Sequence, residues 1–229
     1  MKDIRSMLSA FSLAQKEGKK TAIATLIPTE GTTYRRQQIR VLIGEDGRMS
    51  GALSGRLEGN ALAKVLAVIK QQQNKVVTLN ATDPDEAKLT AKLGGGRSVR
   101  LLIEPVLPCK IHNPIEMLRQ VANGRQDTVL VSLFSQDGER HPGTSLLFRT
   151  DLLQSTLPLA LQANVLRDAQ DALQFRTSSF KQYYCGGGRC NAWIEFVPQQ
   201  AAAVETGSHD SYPMVRFGTN PMVYPAISV

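Results

Sequence analysis

The segment GGGRSVRLLIEPV at residues 94–106 returns near the end of the chain as GGGRCNAWIEFV at residues 186–197. In each copy, three glycines and an arginine come before an apolar run, which is typical of a turn that leads into a strand. A second pair also matches, because TAIATLIPTEG at 21–31 has the same length from Thr to Gly as TVLVSLFSQDG at 128–138. We therefore predict an internal duplication of an α/β unit.

The predicted elements follow the same order in both halves: an entering helix, two strands, a long helix and a closing strand–GGGR–strand segment. In the first half we predict an amphipathic N-terminal helix, strands at 21–27, 39–43, 48–55, 75–80 and 98–106, a helix at 58–72 and a short helix capped by Asp83. In the second half we predict helices at 113–124 and 157–173 and strands at 127–134, 144–149, 175–184 and 191–197. The predicted fold class is α/β, a mixed sheet flanked by helices and built from two similar units about a pseudo-twofold axis.

The predicted domain boundaries follow from this repeat. Residues 1–108 form the first α/β unit, residues 109–200 form a second unit packed on it, and residues 201–229 form a tail. The chain has 229 residues, of which 42% are hydrophobic, as in ordinary folded proteins. No apolar run approaches the roughly 18–20 residues of a membrane span, and charges interrupt the N-terminus where a signal peptide would be apolar. We therefore expect a cytoplasmic protein without membrane contact.

The net charge of +7 favours anionic partners. No helix-turn-helix pattern, zinc-finger spacing or aromatic ribonucleoprotein motif is visible, so nucleic acid is not the expected partner. An anionic small molecule and an acidic protein surface fit the charge equally well. A solvated basic surface without any partner is the third alternative.

The three cysteines are too few for a disulfide scaffold, and no His or Cys spacing typical of a metal site occurs. YYCGGGRC at 183–190 suggests a thiol site on its own, but four residues separate Cys185 from Cys190, more than in redox C-x-x-C motifs. When the stretch is aligned with the first GGGR copy, it is predicted to be a turn in which Cys190 takes the place of Ser98. A redox or metal site there is the lowest-ranked hypothesis.

Three other stretches are candidate anion sites. GTTYRR at 31–36 combines a turn, hydroxyls and guanidinium groups, which suit a phosphate or another oxyanion. SGRLEGN at 54–60 places a glycine before a helix N-terminus, although Glu58 would weaken anion binding there. The GGGR loop at 94–97 lets backbone approach a ligand closely. The alternatives are a basic hairpin tip, a helix cap and a structural turn, respectively.

Taken together, these stretches resemble the XdhC/CoxI family, the molybdenum-enzyme accessory proteins typified by the xanthine dehydrogenase accessory factor. The resemblance runs through five segments of the chain: IATLIPTEGTTYRRQQIRVLIGEDGRMSGALSGRLEG (23–59), GGGRSVRLLIEP (94–105), GERHPGTSLLFRTD (138–151), WIEFVP (193–198) and SHDSYPMVRFG (208–218). In family terms, the tail at 201–229 is a remnant of a Rossmann-type domain.

The resemblance implies an accessory binding protein, and no nucleophile–base pair in the sequence indicates catalysis, so we predict no catalytic residues. No metal ligands are predicted either. Family members bind molybdenum cofactor (molybdopterin), assist its sulfuration by a cysteine desulfurase, and pass it to the apoenzyme of a xanthine dehydrogenase-type molybdenum hydroxylase. The implied cofactor-binding residues are Thr32, Thr33, Tyr34, Arg35, Arg36, Ser54, Gly55, Arg56, Glu58, Gly94, Gly95, Gly96 and Arg97.

The chain departs from the family pattern at the cysteines. Where the family has SGGCLE this chain has SGRLE, with Arg56 in a segment one residue shorter, and Gly95 stands at the cysteine of the family's GCGG. Since thiolates are soft ligands suited to such a metal, their loss raises an alternative. In that alternative, the chain is a degenerate scaffold or interaction module that binds no cofactor. We further expect a homodimer that covers exposed apolar surface.

Overall fold

The computed structural model describes residues 2–27, 39–52, 57–92, 98–108, 113–135, 141–185 and 188–199. The first unit contains α1 (Lys2–Lys16), β1 (Thr21–Ile27), β2 (Arg40–Gly44), β3 (Met49–Gly51), α2 (Gly59–Gln71), β4 (Lys75–Asn80), α3 (Pro84–Lys92) and β5 (Ser98–Val106). The second unit contains α4 (Pro114–Asn123), β6 (Thr128–Ser135), β7 (Gly143–Arg149), β8 (Leu152–Ser155), α5 (Leu159–Phe175), β9 (Ser179–Cys185) and β10 (Gly188–Val197).

Each unit has its own five-stranded sheet, and the two strand orders are equivalent. The first sheet has the order β3-β2-β1-β5-β4 and the second has β8-β7-β6-β10-β9. The predicted class of two similar α/β units with flanking helices is confirmed. The unpredicted strand β8 completes the correspondence, because it is the counterpart of β3.

The described strand pairs are all antiparallel, where the sequence suggested a mixed sheet. Short turns explain some of these pairs. The consecutive strands β2 and β3, and β7 and β8, are joined by tight connections, which favour antiparallel pairing. The helices α2 and α5 carry the chain from one edge strand to the opposite edge of each sheet.

Helices cover the outer face of each sheet. On β1, Ala22, Ala24 and Leu26 point into a core shared with Val65 and Ile69 of α2. In the second unit, α5 covers the equivalent face of β6 and β10 in the same way. The alternation of strand side chains sends the intervening residues to the opposite face, so the inner faces of the two sheets pack against each other.

The inner faces are layered in the same order on each central strand. An apolar residue, a polar residue and a second apolar residue follow one another at alternate positions. On β1 these are Ile23, Thr25 and Ile27, on β6 Leu130, Ser132 and Phe134, on β5 Val106, Glu104 and Leu102, and on β10 Val197, Glu195 and Trp193. The inter-unit interface therefore consists of a polar layer between two apolar clusters.

Local helix signals in the sequence are also confirmed. The Asn113 side chain accepts hydrogen bonds from the backbone N–H groups of Ile115 and Glu116, and Pro114 is the first residue of α4. Pro84 likewise begins α3. Within the described ranges, none of the helices combines the length and apolar character that a membrane span requires. The predicted tail at 201–229 lies outside the described residues.

Candidate functional site

The described residues that border the predicted binding segments lie at one end of the first sheet. Ile27 ends β1 and pairs with Arg100 near the start of β5. Next to it, the N–H of Leu26 donates to the carbonyl of Ile39, and the N–H of Ala52 donates to the carbonyl of Arg40. We call this edge, bounded by Ile27, Ile39, Ala52 and Ser98, the loop end. These four residues are the described neighbours in sequence of segments 28–38, 53–56 and 93–97.

Most of the predicted cofactor-binding residues lie outside the described residues, namely Thr32, Thr33, Tyr34, Arg35, Arg36, Ser54, Gly55, Arg56, Gly94, Gly95, Gly96 and Arg97. Glu58 is described and occupies the N-cap position of α2 with an extended backbone. Its side chain is exposed and makes no cap hydrogen bond. Glu58 is therefore available to a ligand or to solvent.

The second unit presents its equivalent edge on the same side of the interface. Ser135 and His141 border segment 136–140, and the backbone N–H of Ser135 donates to His141 Nδ1 over 3.2 Å. Burial lowers the pKa of His141, and the nearby positive charge of Lys75 lowers it further. His141 is therefore held neutral, with Nδ1 as a hydrogen-bond acceptor.

An apolar cluster from both units lies beneath this end of the interface. We call it the floor cluster, and it consists of Ile27, Leu102, Phe134 and Trp193. The sheet registers make Phe134 the counterpart of Ile27 and Trp193 the counterpart of Leu102. The two units thus contribute equivalent pairs about the predicted pseudo-twofold axis.

Arg100 lies one step beyond Leu102 on the inner face of β5, towards the loop end. It is half-buried, pairs with Ile27 and Thr78, and forms no ion pair with any described residue. Its counterpart on β10 is Asn191, which accepts a hydrogen bond from Gln182 Nε2 at 3.2 Å. Arg100 is not among the binding residues that the sequence predicts. The sequence signal for its place on the inner face is its spacing, because Arg100, Leu102 and Glu104 occupy every second position of the strand.

Two buried polar atoms at this interface have no hydrogen-bond partner among the described residues. They are Trp193 Nε1 in the floor cluster and Thr25 Oγ1 in the polar layer beside it. Buried polar groups are nearly always hydrogen-bonded. Trp193 Nε1 can only donate a hydrogen bond, whereas the Thr25 hydroxyl can donate or accept one.

The polar layer itself joins the two units. Arg40 Nη2 lies 2.6 Å from Glu195 Oε2, and both side chains are buried. In the reciprocal contact, Thr144 donates to Glu104 through its backbone N–H at 2.6 Å and its hydroxyl at 2.9 Å. Burial raises the pKa of Glu104, while the donors of Thr144 and the charge of Arg40 lower it. These groups orient the sheets and need no ligand.

The thiol hypothesis finds no support in the described part of the chain. Cys190 is a free, buried cysteine in the core beneath α5. The sheet register places it level with Val99, a core residue, and not with Ser98 as the GGGR comparison suggested. The side chain of Cys185 is outside the described residues. Among the described side chains, no group of three or more His, Cys, Asp or Glu residues could hold a metal ion.

A cleft of about 420 Å³ lies elsewhere, between α1 and α4. Its lining includes Phe11, Gln15, Asn113 and Gln154, none of which was predicted as a site residue. Asn113 caps α4 there, so its side-chain oxygen is already engaged. This cleft is separate from the loop end.

The comparisons with known proteins agree with the resemblance seen in the sequence. The model of the XdhC and CoxI family matches residues 14–80. A solved structure described as a xanthine dehydrogenase from Bacillus halodurans shares the fold, with a TM-score of 0.52 and 18% identity. The match covers 85% of this chain and 53% of that one, so the chain spans about half the length of its structural neighbour. No curated protein matches the chain. The resemblance is confirmed over residues 14–80, which match the model of the XdhC and CoxI family.

Proposed function

We propose that this protein is a molybdenum-cofactor-binding accessory protein that assists the maturation of a xanthine dehydrogenase-type molybdenum hydroxylase. One observation carries the proposal. The family region at 14–80 contains segments 28–38 and 53–56, and the described residues beside both segments meet at the loop end. The floor cluster and Arg100 lie at the same end.

The charge at this end suits the cofactor, which is an anionic, phosphate-bearing pterin dithiolene. Guanidinium groups bind phosphate through two parallel hydrogen bonds. Arg35 and Arg36 supply such groups in the GTTYRR segment, and Arg100 adds a third from β5. The overall charge of +7 favours the approach of an anionic ligand.

The missing cysteines define how the cofactor would be held. Arg56 and Gly95 occupy the places of the family's two thiols. The chain would therefore bind the phosphate and the pterin, and would leave the metal free of thiolates from those positions. A cofactor without those thiolate bonds is available for sulfuration by a cysteine desulfurase and for transfer to the apoenzyme.

Direct binding measurements test this function. The purified chain is mixed anaerobically with molybdopterin, and bound cofactor is quantified by pterin fluorescence and metal analysis. We expect the paired substitution of Arg35→Ala and Arg36→Ala to weaken binding at least tenfold. Arg119→Ala is the matched control, because Arg119 lies on α4 in an ion pair with Glu116, away from the loop end.

A restored thiol separates the proposal from the scaffold alternative. In this variant, Arg56 is replaced by a Gly-Cys pair, which returns the family length and cysteine. Binding by the native chain supports the proposed function, and binding by the altered chain alone contradicts it. A native chain that captures a hydroxylase apoenzyme without any pterin would identify the scaffold alternative as correct.

A further inference from the structure

We propose that β9, the edge strand of the second sheet, is a dimerisation surface that pairs antiparallel with β9 of a second copy of this chain. The pairing would join two five-stranded sheets, one from each chain, into one continuous sheet. It would also give the homodimer expected from the sequence a defined surface. The inference does not depend on the proposed function, because no predicted cofactor-binding residue lies on β9.

The place of β9 in its sheet carries the first step. It pairs with β10 on one side, and among the described strands none lies on its other side. Every second residue of an edge strand directs its backbone N–H and C=O away from the sheet, where a further strand can pair with them. With seven residues, β9 is the longest of the four edge strands β3, β4, β8 and β9.

The pseudo-symmetry carries the second step, because the equivalent edge of the first unit is blocked. β4 is the counterpart of β9, and side chains from two helices bind its backbone. The N–H of Asn80 donates to Glu86 Oε2 of α3 at 2.7 Å, and the carbonyl of Thr78 accepts from Lys64 Nζ of α2 at 3.5 Å. Glu86 is fully buried, and its other carboxylate oxygen binds Lys64 as well. These contacts protect the edge of β4 from an incoming strand.

The described part of the second unit contains no counterpart of α3. In the first unit α3 lies between β4 and β5, whereas only residues 186 and 187 separate β9 from β10. The registers make Tyr184 the counterpart of Asn80, because Tyr184 pairs with Arg189 and Asn80 pairs with Ser98. Within the described residues, the second unit therefore has no side chain equivalent to Glu86 at this edge.

The side chains of β9 suit a copy of the same strand. A twofold axis makes two identical edge strands antiparallel. In a pairing centred on the middle of the strand, Phe180 lies opposite Tyr184 of the partner subunit, and aromatic cross-strand pairs stabilise a sheet. Tyr184 is 75% exposed in the single chain, so this pairing would cover it.

The charge on β9 permits the same pairing. Lys181 is the one charged residue of the strand, and its Nζ already lies 3.5 Å from Asp168 Oδ1 on α5. In the centred pairing Lys181 lies opposite Tyr183 of the partner subunit, so two like charges do not face each other directly. The edge is therefore compatible with its own copy in both shape and charge.

Sedimentation velocity of the full chain over a range of concentrations tests the proposal. We expect the wild-type chain to change from monomer to dimer as its concentration rises. Tyr184→Glu would bury a charge against Phe180 of the partner subunit, and we expect it to weaken the dimer about tenfold or more. Arg189 lies across the hairpin from position 184 and can pair with the new carboxylate, so the melting temperature of the monomer should be kept.

Thr78→Glu is the matched control. It places the same charge on the edge strand β4, opposite Arg100, where Lys64 and Glu86 already block the edge. We expect its dimerisation to match that of the wild-type chain. A wild-type chain that stays monomeric at all concentrations, or a Tyr184→Glu variant that dimerises with wild-type affinity, would overturn the proposal.

Hydrogen–deuterium exchange of the wild-type chain, read by mass spectrometry, locates the interface independently. Peptides that contain β9 should exchange more slowly at concentrations where the chain is dimeric, because the outward N–H groups then pair with the second copy. Peptides that contain β4 should exchange at one rate across the same concentrations. Protection that appears on other strands and leaves β9 unchanged would assign the dimer to another surface and overturn the proposal.

Discussion

Arg40 on β2 of the first unit and Glu195 on β10 of the second form a buried ion pair, with Nη2 2.6 Å from Oε2. The two side chains are 6% and 2% exposed, and 155 residues separate them along the chain. The pseudo-twofold counterpart of Arg40 is Thr144, and that of Glu195 is Glu104. Thr144 and Glu104 therefore make the symmetry-equivalent contact between the two units, with hydrogen bonds in place of the ion pair.

Removal of Arg40 should strongly destabilise the chain. Arg40→Ala removes the cation from a buried ion pair, and breaking such a pair costs about 3–5 kcal/mol. The free energy of unfolding is measured by urea denaturation. In the double variant Arg40→Met with Glu195→Met, both charges are gone, so we expect much of the stability to return.

Lys19→Ala is the matched control for Arg40→Ala. Lys19 pairs with Glu17 and Asp46 at the surface, where water screens the charges, and its loss should change stability little. Equal losses for Arg40→Ala and Lys19→Ala would contradict the assigned importance of the buried pair.

Glu104 should make the stability depend on pH. Burial raises the pKa of its carboxyl above the usual value of 4.5, so the folded chain binds a proton more tightly than the unfolded chain. The associated stability is fully present below pH 4.5 and is lost as the pH rises through the folded-state pKa. Glu104→Gln keeps the side chain neutral, and the loss of stability between pH 4 and pH 8 should become smaller. Urea denaturation across that range checks this, and an unchanged pH slope would show that Glu104 does not titrate there.

Asn113 should contribute to stability through its helix cap. Its side chain accepts from the N–H groups of Ile115 and Glu116, and loss of such a cap typically costs about 1 kcal/mol. Asn113→Ala should therefore lower the free energy of unfolding by that amount in chemical denaturation. Glu58→Ala is the control at the N-cap of α2, where no side-chain cap bond exists. A loss in Glu58→Ala as large as that in Asn113→Ala would exclude a specific role for the cap.

The repeat and the local elements were predictable because their signals are local. Glycine runs, the cap at Asn113 and the run of apolar and β-branched residues in β1 are readable within a few residues. The short strand β8 was missed, since LLQS offers only four residues and lies between two stronger signals. Its place became clear only from its pairing with β7.

The packing of the two sheets was not predictable in the same way. The sequence shows Arg40 and Glu195 as two isolated charges, and nothing local indicates that they meet. The same holds for Leu102 and Trp193, which belong to separate copies of the repeat and meet in one cluster through tertiary structure. The motif-bearing residues, by contrast, stand out in the sequence because their segments are rich in turn residues, and their role as a binding site stays a prediction.

Gly143, at the contact between the two units, should not tolerate a larger residue. Its φ of +84° is unfavourable for other residues, and an added Cβ would lie 2.6 Å from Asn74 Nδ2 and against Glu104 Oε1. Asn74 also donates to the carbonyls of His141 and Pro142 at 3.0 Å, so the clash would disturb the approach of the first unit to β7. With backbone strain and overpacking combined, we expect Gly143→Ala to cost about 3 kcal/mol.

Gly188→Ala is the matched control, because no atom lies within 4 Å of a Cβ added at Gly188 and the backbone there is unstrained. Urea denaturation of both variants decides the matter, since a tolerated Gly143→Ala would mean that the two units can move apart at this contact without loss of stability.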